Sequence, residues 1–149
     1  MTKLKNKKAT KPSKKINSNE IKGSYKFKYL KFNFSFLSTN SDYNLEKLDE
    51  HIKADLIDRM EELSSITYLQ LASMPKSRGF EGIKESSFSI KANYKKEKFN
   101  EEDFRNSCDK YNIIRLYPNN NPLPVRLIGK LSNNVFYLLF IDKEHKCYK

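Results

Sequence analysis

From Tyr25 to Phe36 apolar and polar residues alternate, but the phase changes midway: Tyr25, Phe27 and Tyr29 occupy odd positions, then Leu30, Phe32, Phe34 and Phe36 even ones. Side chains on a strand change face at every residue, so holding all of these on one face requires an extra residue near Tyr29 and Leu30. The pattern predicts a first strand with a β-bulge there. Downstream the period lengthens. Leu45, Leu48, Ile52, Leu56, Met60 and Leu63 recur three and four residues apart, which predicts an amphipathic helix capped by Ser41 or Asp42. Ser64 or Ser65 offers a cap for a short second helix carrying Ile66, Leu69 and Ala72, stopped by Pro75 and the Lys76-Ser77-Arg78-Gly79 turn. The two helices are expected to form a hairpin.

The period then returns to two. Phe88, Ile90, Ala92 and Tyr94 alternate with Ser89, Lys91 and Asn93, a strand with one wet face. Asn100 before Glu101, Glu102 and Asp103 marks the capped, acidic first turn of a short helix ending near Asp109. Tyr111 to Tyr117 predicts another strand, ended by Pro118, three Asn and Pro122. Val125–Leu131 and Val135–Ile141 predict two more, joined through Ser132-Asn133-Asn134, because Asn tolerates the positive φ of tight hairpins. Unbroken apolarity from Val135 to Ile141 predicts a central strand covered on both faces. The expected fold class is α+β: a mostly antiparallel twisted sheet packed against a two-helix hairpin.

At 149 residues the chain suits one domain whose core needs no disulfide or metal. Its net charge of +11 bears on partners rather than on fold. Residues 1–22 hold eight Lys, among them Lys3, Lys5, Lys7, Lys8, Lys14 and Lys15, against one Glu. Apolar residues there are too few to offset the entropy of ordering. The segment is expected to be a disordered basic arm that lies along a phosphate backbone, or else a solubilising tail, ahead of a single domain at 23–149. Within that domain charge is segregated: Leu45–Leu63 has seven acids and three bases, Lys110–Lys149 seven bases and two acids. A polyanion is expected to approach the C-terminal part, on an exposed surface opposite the acidic helix. The longest apolar run, Val135–Ile141, falls short of the roughly 20 residues a spanning helix needs, so no membrane partner is expected. Cys108 and Cys147, far apart in a chain without a secretory pattern, are expected to be free thiols in the cytoplasm.

The chemistry narrows next. Gly23, Gly79, Gly82 and Gly129 are the four glycines, and none precedes Lys-Ser or Lys-Thr as a phosphate loop requires. Of His51, His145, Cys108 and Cys147 only His145 and Cys147 are close, so no metal or cofactor is expected. Arg126 and Lys130 stand on one side of a strand whose Val125 and Leu127 face the other. With the last two strands as neighbours, Arg126 comes near His145, Lys146 and Tyr148 at one end of the sheet, and Arg115, Lys130 and Lys143 become candidate nucleic-acid contacts. A guanidinium can clamp a phosphate through two hydrogen bonds, and His or Tyr can move a proton. These are the minimum parts for cleaving RNA without a metal, by attack of a 2′-hydroxyl on the adjacent phosphate while cations stabilise the developing charge. The competing account pairs Arg126 with an acid such as Asp142 and leaves the terminal basic residues solvated. Tyr25, Tyr29, Tyr94, Tyr111 and Tyr117 can either stack on bases beside neighbouring Lys and Arg or belong to the core, whereas Phe32, Phe34 and Phe36 are core. His51, at the edge of the helix's apolar stripe, is assigned no chemistry.

A first strand, a helix pair and antiparallel strands ending in a basic stretch with a Tyr resemble the RelE/ParE toxin superfamily. The resemblance is carried by Tyr111-Asn112-Ile113-Ile114-Arg115, Val125-Arg126-Leu127-Ile128-Gly129, Val135 to Ile141 and Lys143 to Tyr148. It spans residues 25–148 as a pattern of strands and basic positions. It implies an RNA-binding, ribosome-associated mRNA endoribonuclease that is held by an antitoxin. It also implies roles: Arg126 matches the strand arginine on the phosphate, and Lys146 with His145 or Tyr148 the C-terminal catalytic positions, with Lys143 a looser match. The basic arm and the helix after Asn100 depart from the family's pattern. The same segments, with the Asp-Lys-Glu-His-Lys-Cys-Tyr ending, are also similar to small proteins carried by phages and mobile elements. That likeness implies the alternative, a non-catalytic anti-defence protein of anti-CRISPR type that binds a nucleoprotein or host-defence target.

Overall fold

A computed structural model describes residues 23–89 and 110–149. The arm at 1–22 with Lys3, Lys5, Lys7, Lys8, Lys14 and Lys15, the part of the expected Phe88–Tyr94 strand after Ser89, the helix after Asn100, and Cys108 lie outside the described residues, while Phe88 and Ser89 themselves are not in a strand. The chain runs β1 (Lys31–Asn33), α1 (Glu50–Ser64), α2 (Tyr68–Ser73), β2 (Phe80–Lys84), β3 (Lys110–Arg115), β4 (Arg126–Ser132) and β5 (Val135–Asp142). The strands form a five-stranded sheet in the order β1-β5-β4-β3-β2, antiparallel except that β1 lies parallel to β5. The α+β class is thus the one the pattern predicts, and β5 is an interior strand. Among the described residues no helix is long and apolar enough to cross a membrane.

The helices start later than their apolar period suggests, for a local reason. Ser38 Oγ accepts from the Asn40 N–H at 3.1 Å, Asn40 Oδ1 from Asp42 at 3.0 Å and Asn44 Oδ1 from Glu46 at 2.8 Å. Short polar side chains that capture nearby backbone donors hold the chain in turns. Leu45 and Leu48 therefore reach the core from a loop, and α1 begins after Asp49, burying Ile52, Leu56 and Leu63. α2 is capped by Thr67 rather than by Ser64 or Ser65. Thr67 Oγ1 accepts from the Gln70 N–H while Gln70 Oε1 accepts from the Thr67 N–H, a reciprocal capping box.

The first segment departs furthest from expectation. Tyr25–Phe27 is a single 3-10 turn capped by Ser24, Tyr29 is exposed, and β1 is only three residues long, so no bulge forms at Tyr29 and Leu30. A bulge forms in β5 instead. Ile128 pairs with Phe140 and Gly129 with Leu138, which leaves Leu139 as the extra residue. Leu138 and Ile141 consequently face the helices, while Leu139 and Phe140 face the other way. Unbroken apolarity in β5 thus reflects both two covered faces and a change of phase. β2 has weak periodicity, since Phe80 packs on the helix side and Ile83 on the other with Gly82 between them.

Each face of the sheet has its own core. On one, Ile114, Leu127, Phe136 and Leu138 meet the helices. On the other, Tyr111, Ile113, Ile128, Leu139 and Phe140 are covered by Phe36, Cys147 and Tyr148. Arg59 of α1 joins helix to sheet: its Nε donates to the Arg115 carbonyl at 3.3 Å and its Nη2 to the Arg78 carbonyl at 2.7 Å.

Candidate functional site

Three strands present charged residues in one row on the face away from the helices. Arg115 of β3 is the cross-strand partner of Arg126 of β4, which is the partner of Asp142 of β5. Glu81 of β2 stands opposite Ile113 and so shares that face. Asp142 reaches the row only because of the bulge at Leu139. Without the extra residue, the two-residue period counted from Phe136 would turn Asp142 toward the helices.

Beyond β5 the chain turns back over this row. The Asp142 carboxylate accepts from the N–H groups of Lys146 at 3.0 Å and Cys147 at 2.8 Å, and His145 adopts the left-handed conformation the turn needs, with φ of 55°. Ser89 holds the other side. Its N–H donates to the Cys147 carbonyl at 2.9 Å, and its hydroxyl lies 3.2 and 3.3 Å from the carbonyls of Lys146 and Cys147. The Tyr148 ring sits 4.7 Å from the His145 ring and 5.4 Å from Phe88, centroid to centroid.

Arg126 and Tyr148 are only 2% and 5% exposed, whereas Arg115 and His145 are half-buried and form the approach. Arg126 Nη1 donates to the Pro124 carbonyl at 3.1 Å. Four atoms of this group, Arg115 Nε, Arg126 Nε, His145 Nε2 and Tyr148 Oη, are buried without a hydrogen-bond partner among the described residues. An unsatisfied buried polar group costs about 1–3 kcal/mol, and native proteins keep few of them. All four lie at one end of the sheet, where Arg126 and Tyr148 are close enough to interact through their side chains. Asp142 is the cross-strand partner of Arg126, but no ion pair joins the two, and its oxygens accept from backbone donors.

Electrostatics assigns protonation states. Burial holds the His145 imidazole below its ordinary value, Arg126 and then Arg115 push the same way, and Asp142 opposes them. Burial pushes the Tyr148 hydroxyl up, against a smaller downward pull from Arg126. At neutral pH the pair is thus an uncharged imidazole able to take a proton beside a phenol able to give one. Burial, with Asp142 beside it, raises the Cys147 thiol far above the range in which it acts as a nucleophile.

The other sequence candidates fall elsewhere. Lys146 is exposed and paired with Glu144, its backbone and not its side chain being held by Asp142. Lys130 shares the face of Arg126 but is buried, paired with Glu85, and 5.4 Å from the centre of the Tyr111 ring. The cations of the last forty positions are therefore not gathered on one exposed surface. Two are drawn into the buried row, and Lys130 and Lys146 are neutralised by carboxylates. Lys143 lines a separate cleft of about 340 Å³ with Asp42, Tyr43 and Lys47. Tyr111 is core, Tyr117 donates to Asp55, and Tyr25 packs edge-on against Tyr68, so among the described tyrosines considered for base stacking only Tyr29 is well exposed. Two contributors escaped sequence reasoning. The offset from Asp142 to the N–H groups of residues 146 and 147 is a turn-capping signal, whereas nothing local announces Ser89. Comparison of the chain with protein-family models, curated proteins and solved structures finds no match.

Proposed function

We propose that this is a cytoplasmic RNA-binding protein of RelE-like toxin type, whose Arg115, Arg126, His145 and Tyr148 contact a scissile phosphate and cleave mRNA, on ribosomes or as part of another nucleoprotein complex. The placement of Arg115 opposite Arg126 at the sheet end over which His145 and Tyr148 fold supports it. The guanidiniums supply charge where the phosphorane develops. The uncharged His145 accepts the proton of the attacking 2′-hydroxyl, the 2′-oxygen bonds to phosphorus, and the bond to the 5′-oxygen breaks as Tyr148 gives that oxygen a proton. The products are a 2′,3′-cyclic phosphate and a 5′-hydroxyl, and His145 returns the proton to Tyr148. An antitoxin is the expected partner. Incubation of RNA or translating ribosomes with the protein in EDTA should give cyclic-phosphate ends. Tyr148→Phe should slow cleavage about a hundredfold, and Arg126→Ala more, with thermal unfolding confirming that each variant is folded. Equal, absent cleavage by wild type and Arg126→Ala ends the nuclease proposal.

The deep burial of Arg126 and Tyr148 favours a second function, a non-catalytic anti-defence protein that binds a nucleoprotein target. In that case binding to a nucleic-acid complex weakens steeply with salt through counterion release while no RNA is cut.

A further inference from the structure

Among the described residues, two of the most exposed large apolar side chains are rings two positions apart, Tyr29 at 62% and Phe27 at 46% exposure. Neither is packed into the core on either face of the sheet. We propose that these rings form a stacking platform for the bases of single-stranded RNA, with Lys26, Lys28 and Lys31 meeting its phosphates. This proposal rests on the RNA-binding reading above and names where on the chain a strand is held.

The backbone that carries the rings is fixed on both sides. Asn134 Nδ2 donates to the Tyr29 carbonyl at 2.7 Å, and the Asn134 carbonyl accepts from the Lys31 N–H at 2.8 Å. On the other side the Lys28 carbonyl accepts from the Tyr68 N–H at 3.1 Å, and the Leu30 N–H donates to the Ile66 carbonyl at 3.2 Å. Leu30 anchors the segment in the core. Lys28 is extended, with φ of −91° and ψ of 147°, so Phe27 and Tyr29 leave the chain on one side, about 6.6 Å apart along it. Rings already held out in water lose little freedom when a base stacks on them.

Charge names the occupant. From Gly23 to Ser41 the chain carries Lys26, Lys28 and Lys31 and no acid. All three are exposed, and none forms an ion pair with a described residue. The eight Lys of residues 1–22 lead straight into this segment. Exposed rings among unpaired cations suit a single strand, whose bases are free to stack, whereas a duplex offers them only phosphates. Tyr29 is held at the start of β5 and Asp142 stands at its end, roughly 23 Å away at the rise of a strand. The platform is therefore separate from the residues proposed to cleave.

Binding should be measured on the full chain with a short 2′-O-methylated oligouridylate, which lacks the free 2′-hydroxyl that cleavage needs. Tyr29→Ala and Phe27→Ala should each weaken binding about tenfold, the size of one lost base stack, with the urea midpoint unchanged. The salt slope should stay at its wild-type value in both, since no charge is removed. Lys28→Gln should instead lower that slope by about 0.7. Tyr29→Trp should retain binding while Tyr29→Leu loses it, because stacking needs a ring. Wild-type affinity in both alanine variants, or equal affinity of the Trp and Leu variants, overturns the platform and leaves RNA binding elsewhere on the chain standing. Failure of the wild type to bind any single-stranded or ribosomal RNA overturns the RNA-binding reading and the platform with it.

Discussion

Asp142 accepts from two successive backbone N–H groups and so fixes where His145 and Tyr148 come to rest. Hydrogen bonds to a charged group contribute about 1.5–3 kcal/mol each. Asp142→Ala should therefore lower stability by about 3 kcal/mol, read from the urea midpoint, and free the tail. Covalent labelling of Cys147, which is fully buried in the native protein, should rise in parallel by peptide mass spectrometry. His145 makes stability depend on pH in a definite direction. Its folded value lies below the ordinary value of about 6.5, so the unfolded chain takes up the proton first as pH falls. Its contribution is complete above that value and is lost as pH drops through the window down to the folded value. Urea midpoints measured from neutral toward mildly acid pH should fall less in His145→Asn than in wild type. Arg126 could be read from strand alternation alone. The acceptor role of Asp142 could not, because it depends on a turn that only the folded tail defines.

The bulge in β5 turns one strand into two phases, and Gly129 makes room for it. A Cβ on Gly129 would run into the Tyr137 carbonyl and the Phe136 ring. Gly129→Ala should cost about 3 kcal/mol, as overpacking in a tight core does, with the denaturant slope unchanged. Helix periodicity was legible because Ile52, Leu56 and Leu63 repeat on one face, but the helix start was not, because Asn40 and Asn44 compete for backbone donors over the same stretch. The phase change near Tyr29 looks in sequence like a bulge, yet Tyr25–Phe27 leaves the sheet altogether as a 3-10 turn. The true bulge was hidden because every residue from Val135 to Ile141 is apolar, so its change of phase leaves no polar marker. β2 went unread because Phe80 and Ile83 point to opposite sides of an edge strand.

The acidic helix and the arginine row occupy opposite faces of one sheet, so whatever anion approaches the row is shielded from α1 by the sheet itself. Residues 1–22 carry eight Lys and one Glu and add to the positive charge of the chain. If the proposed RNA binding holds, removing residues 1–22 should flatten its salt dependence while leaving the unfolding midpoint unchanged. The log–log slope should drop by about 0.7 for each phosphate of a single strand that the shortened chain no longer neutralises. Non-local pairing has a further effect during synthesis. Lys31 leaves the ribosome well ahead of its sheet neighbour Val135, with the helices and three further strands translated in between. Until then Leu30, Phe32 and Phe34 have no β5 to pack against, so the nascent chain carries an unprotected greasy segment over that whole interval. Slow translation or a scarcity of holding chaperones would therefore endanger this protein more than one whose first strand pairs with its second.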